Sequence, residues 1–114
     1  LIAAAHFANP AAADALMVVL EGGHGEVFVQ GFDAHPLRPV TALASMKPDA
    51  ALGLLGGRQA VGNGVHHLLA IDPALAAAEA LPDAACTLTL PESLRSLPAV
   101  PIYGRAPDAK PVVP

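Results

Sequence analysis

The sequence predicts an α/β domain built on a mixed sheet, with elements in the order β-β-β-α-β-α. Three stretches predict it. "ALMVVL" (Ala15 to Leu20) is a continuous apolar run, β-branched at its centre, which suits a strand buried on both faces. "EVFVQGF" (Glu26 to Phe32) alternates instead, with Val27 and Val29 to one side and Phe28, Gln30 and Phe32 to the other. "KPDAALGLLGG" reads as a helix: Pro48 fits its first position, Asp49 complements its dipole, and Gly56-Gly57 stops it.

The remaining elements follow in order. "LIAAAHFA" reads as the end of a helix already under way, broken at Asn9-Pro10 because a residue before proline avoids the helical region. Between the first two strands lies Glu21-Gly22-Gly23-His24-Gly25-Glu26. After the second strand, "DAHP" (Asp33 to Pro36) is turn chemistry. "LRPVTAL" (Leu37 to Leu43) is a third, edge-type strand, since it contains Pro39. Gln59 to Val61 forms a fourth strand, ending in the glycine turn Gly62-Asn63-Gly64, and "VHHLL" is a brief turn or helix. "IDPALAAAEAL" predicts a helix, with Asp72 as N-cap and Pro73 at the first position. "TLTL" (Thr87 to Leu90) is ambiguous, and "PESLRSL" places Leu90, Leu94 and Leu97 on one helical face. The end is a short extended apolar stretch followed by a Pro-rich tail.

Composition narrows the function classes. The 114 residues fit one small domain, 54% apolar, with only one Tyr, three Phe and no Trp, so its core is built from small side chains. A domain of this size buries only about two-thirds of its unfolded surface, and the apolar excess points to further burial against something else. The net charge is −4 and the six Lys and Arg form no run, which argues against a nucleic-acid patch. The single cysteine, Cys86, excludes an internal disulfide and fits a reducing compartment. No apolar run approaches the ~20 residues of a membrane helix, and the start has no basic signal-peptide region.

The candidate sites are few. The Glu21–Glu26 stretch offers three readings. A phosphate cradle would need Lys and Ser/Thr followed by a helix, whereas Glu26 and a strand follow here. A metal site would use His24 with Glu21 or Glu26, but no helix fixes them at ligand spacing. A hairpin turn needs only glycines at positive φ, and is favoured. Gly62, Asn63 and Gly64, after a strand and before a short helix, form a second candidate, a nucleotide loop whose amides would bind phosphate. Its plain alternative is a tight strand-to-helix turn. His66 and His67 are adjacent and leave a helix about 100° apart, a poor metal pair. His6 and His35 read as structural, and Cys86 as a small core residue with no cationic cluster to activate it. The residues alone assemble no catalytic set.

Three stretches in order resemble one family. "LMVVLEGGHGEVFVQGF" is similar to the V-x-I-D-A-R-R-G-E-V-Y segment of the TsaB (YeaZ, glycoprotease-like) family of bacterial tRNA threonylcarbamoyladenosine biosynthesis proteins. "AVGNGVHHL" resembles its strand-then-G-[ST]-G segment, and "AVPIYGRAPDAKP" its C-terminal P-x-Y-L-R-x-P-D-A-K segment. The resemblance implies one half of an actin/hsp70/sugar-kinase-like fold. Residues 1–9 would be the end of the connecting helix, 10–105 the C-terminal subdomain and 106–114 a Pro-rich extended tail, with the N-terminal subdomain absent.

The same resemblance implies a non-catalytic, cytoplasmic scaffold. Its partners would be a TsaD-like catalytic subunit and a TsaE-like ATPase, with tRNA contacted indirectly and no membrane. It implies no cofactor in this chain, ATP entering only in the assembled complex. The family's Asp-Ala-Arg is replaced by Glu21-Gly22-Gly23, its second basic position by His24 and its Tyr by Phe28, while Gly25 and Glu26 are kept. Loss of that Arg removes the obvious anion-binding group of the loop. Two other readings stand beside the scaffold. One is a nucleotide-dependent phosphotransferase or metallopeptidase half-domain using Gly62, Gly64 and a histidine. The other is a standalone protein-binding module. A face left without its other half is expected to make the isolated domain a homo-oligomer.

Overall fold

The computed structural model describes residues 1–9, 12–34 and 36–101. Its elements are α1 (Ile2–Phe7), β1 (Ala15–Gly23), β2 (Glu26–Asp33), β3 (Arg38–Pro39), β4 (Ala44–Met46), α2 (Pro48–Leu55), β5 (Gln59–Val61), α3 (Val65–Leu69), β6 (Ala77–Ala78), a 3-10 helix (Ala84–Thr89) and α4 (Glu92–Arg95). One sheet runs β3-β2-β1-β5-β6, with β4 also paired to β2. β2 is antiparallel to β1, β3 and β4, whereas β5 is parallel to β1, and β6 to β5. The mixed α/β sheet read from the sequence is therefore the one observed.

Alternation along the strands divides the core in two. Met17, Val19, Val27, Val29 and Ala60 face α2 and α3, and pack with Ala51, Leu55, Val65 and Leu68. Leu16 and Val61 face the other way, toward Ile2 and Ala3 of α1. The crossover helix α2 begins on Pro48, carries Asp49 in its first turn and ends on Gly56 at φ 61, the left-handed stop that glycine favours.

Three expectations need correction. The third strand, read as continuous over Leu37 to Leu43, is two short pieces on β2. Pro39 cannot extend a ladder. Between the pieces Thr41 substitutes its side chain: its Oγ1 accepts the Gly31 amide at 2.8 Å, and its carbonyl accepts from Gln30 Nε2 at 3.1 Å. The helix expected over Ile71 to Leu81 does not form. Asp72 caps only a turn, its carboxylate accepting the Ala74 amide at 3.2 Å, and the chain then extends as β6. The buried amides of Ala60 and Gly62 donate to Ala76 and Ala78 carbonyls at 3.0 Å each. A helix there would leave both donors without partners, a cost that alanine's helix preference does not offset.

"TLTL" belongs largely to the 3-10 helix, where the Thr87 and Thr89 hydroxyls donate to carbonyls three residues back. Cys86 lies on that helix, half-buried rather than in the core. The C-terminal motif from Ile102 onward, the 106–114 tail and His35 lie outside the described residues.

Candidate functional site

The β1–β2 connection is a two-residue hairpin. Gly23 pairs with Glu26, and the central residues His24 and Gly25 stand at φ 55 and 73, as a type I′ turn requires. The register slips between Glu21 and Gly23, so one strand carries an extra residue just before the turn. Glu26 is tied to the sheet, its carboxylate accepting the Ser45 hydroxyl at 2.7 Å.

Gly62, Asn63 and Gly64 fasten β5 and α3 to β1. The Gly62 amide donates to Ala78 and the Gly64 amide to the Val19 carbonyl at 2.9 Å, while Asn63 Oδ1 accepts the Glu21 amide at 2.9 Å. Both glycines are there for closeness. A Cβ on Gly62 would stand 2.2 Å from the Val19 oxygen, and one on Gly64 2.7 Å from the Leu20 carbonyl carbon. Both glycine amides of this turn are thus engaged by protein carbonyls.

This fastening brings together residues that lie far apart in sequence. Parallel β1 and β5 are in register over Leu16–Val18 and Gln59–Val61, so their C-terminal ends emerge at the same side of the sheet. Glu21 leaves one strand there and α3 leaves the other. Glu21 Oε2 lies 2.7 Å from His67 Nε2 and 3.3 Å from His66 Nε2. The two rings sit side by side with centroids 4.2 Å apart. The Glu21 carboxyl is held below its ordinary value, first by the hydrogen bond from His67 and then by nearby imidazole charge.

Two of these results depart from the residue-level reading. Adjacent histidines leave the helix in different directions, yet both rings come within 3.3 Å of one carboxylate oxygen. His24, the histidine that a metal reading would pair with Glu21, is not in the cluster; His66 and His67 stand beside Glu21 instead. The missing signal was the parallel pairing of β1 with β5. Sites in α/β sheets gather where parallel strands end, and only that pairing makes Glu21 a neighbour of residues 66 and 67.

On the opposite face lies an apolar groove of about 530 Å³. Val18, Leu20 and Phe28 of the sheet form its floor, and Leu90, Leu94 and Leu97 line its rim. The three leucines expected on one helical face do meet at the groove, but only Leu94 lies in a helix, since α4 is a single turn that begins after Leu90 and ends before Leu97. Among the described residues, no helix is long and apolar enough to cross a membrane.

No protein-family model and no curated protein sequence matches the chain. A solved structure does, by fold. It is the crystal structure of an uncharacterized protein from Pseudomonas aeruginosa with similarity to peptidase YeaZ, 19% identical, with a TM-score of 0.66. The match covers 91% of this chain and 55% of that one, so the chain spans little more than half of its neighbour's length. The likeness is one of fold. It agrees with the mixed α/β fold read from the sequence.

Proposed function

We propose that the chain is the C-terminal subdomain of a TsaB-like scaffold. Such a scaffold is a non-catalytic subunit of the complex that adds threonylcarbamoyl to the adenosine beside the tRNA anticodon. The observation that carries this reading is the fold shared with a YeaZ-like protein over 91% of the chain. The hairpin at Gly25-Glu26-Val27, where the family motif lies, supports it independently. The nucleotide-loop reading of Gly62, Asn63 and Gly64 draws no support from a turn whose glycine amides donate to Ala78 and Val19. In the scaffold reading ATP belongs to the assembled complex, brought by a TsaE-like ATPase, and tRNA is contacted through a TsaD-like subunit.

The apolar groove is the face that an N-terminal subdomain would cover. A chain lacking that subdomain is expected to self-associate there, which light scattering at high concentration tests; a monomeric mass counts against it. The decisive experiment is co-purification of the full-length protein with a TsaD-type subunit. Association in a defined ratio is expected, and failure to associate overturns the reading.

A further inference from the structure

We infer that Glu21, His66 and His67 form a binding site for a divalent first-row transition-metal ion, zinc being the best fit. The ligand set comes from three side chains that offer one carboxylate oxygen and two imidazole nitrogens, all within 4.8 Å of one another. A tetrahedral ion with bonds of ~2.0–2.1 Å holds its ligand atoms roughly 3.3 Å apart. The Glu21 oxygen already lies 2.7 and 3.3 Å from the two Nε2 atoms, so small side-chain rotations make room for an ion among them.

The backbone beneath the set is fixed in advance. Asn63 Oδ1 holds the Glu21 amide, and the Gly64 amide is bound to Val19, so the start of α3 cannot drift from the end of β1. The ligand distances are therefore set by the sheet rather than by a loose loop. Adjacent histidines on one short helix and a carboxylate from a neighbouring strand leave the solvent side open. His66 and Glu21 are exposed, so an ion has an entry path and room for water as its remaining ligands.

Donor chemistry sets the class of ion. Two imidazoles and one carboxylate suit zinc and its first-row neighbours; magnesium and calcium prefer oxygen throughout. Neutral imidazoles and one carboxylate leave a single net positive charge on the bound ion, in a chain whose own charge is −4.

The test uses the tag-free chain, stripped with a chelator and titrated with zinc ion alone by calorimetry. One zinc per chain is expected. Glu21→Gln, His66→Ala and His67→Ala should each weaken binding at least ten-fold, while His24→Ala leaves it unchanged. A second measurement does not depend on the variants folding: in the unaltered chain, zinc should shift the ring nitrogen signals of His66 and His67 and not those of His6. Cobalt should give the visible absorption of a low-coordinate site, and excess magnesium should not displace it. Absence of stoichiometric binding, binding that survives all three variants, or ring shifts confined to other histidines would overturn the assignment.

Discussion

The two faces of the sheet are built differently. On one, α2 and α3 cover Met17, Val19, Val27 and Val29 so fully that each is 1% exposed or less. On the other, α1 covers Leu16 and Val61, but Val18, Leu20 and Phe28 are only partly buried and floor an open groove. Leu97 at its rim is 63% exposed. The difference teaches that, among the described residues, one face is fully covered and the other only in part. Apolar side chains on the covered face contribute more to folding than those on the open one.

The largest expected effect tests the covered face. Leu68, fully buried between α3 and the sheet, should cost about 2–5 kcal/mol when changed to Ala, since little of the cavity can collapse. Phe28→Ala on the open face should cost less, about 1–2 kcal/mol, because solvent already reaches part of the ring and no closed cavity is left. Denaturant unfolding of both variants measures the contrast, and equal losses would break it. Leu97→Ser should change stability by no more than about 0.5 kcal/mol while lowering any self-association seen by light scattering.

The smallest effect is electrostatic. His6 on α1 has its pKa lowered by burial, partly opposed by a hydrogen bond with Gln59, and its Nε2 finds no hydrogen-bond partner among the described residues. The unfolded chain therefore takes up the proton first. Stability should be unaffected by this group above its ordinary value near 6.5. It should decline as pH falls through that value, and level off below the lowered one. His6→Phe should flatten that slope in thermal melts across pH 5 to 7; an unchanged slope would remove His6 as the cause.

The strands of the hairpin were legible because alternation and turn chemistry are local. Val27 and Val29 face one side and Phe28 and Phe32 the other, as their spacing demands. Gly56 and Pro48 likewise mark the ends of α2 where they stand in the chain. The stretch after Asp72 was illegible for the opposite reason. Its alanines favour a helix locally, and only the donors of Ala60 and Gly62, more than a dozen residues earlier, draw it into a strand. The Glu21, His66 and His67 cluster was hidden in the same way. Each residue is unremarkable in its own segment, and their proximity is a property of the parallel β1–β5 pair.

The way Thr41 interrupts the outer strand has a consequence for how copies of this chain can meet. With β3 and β4 separated, the free margin beyond β2 is a row of short pieces of two and three residues, and the opposite margin, β6, is two residues long. Among the described residues neither margin offers an extended backbone template, which disfavours recruitment of a further strand, the route to fibrous aggregation.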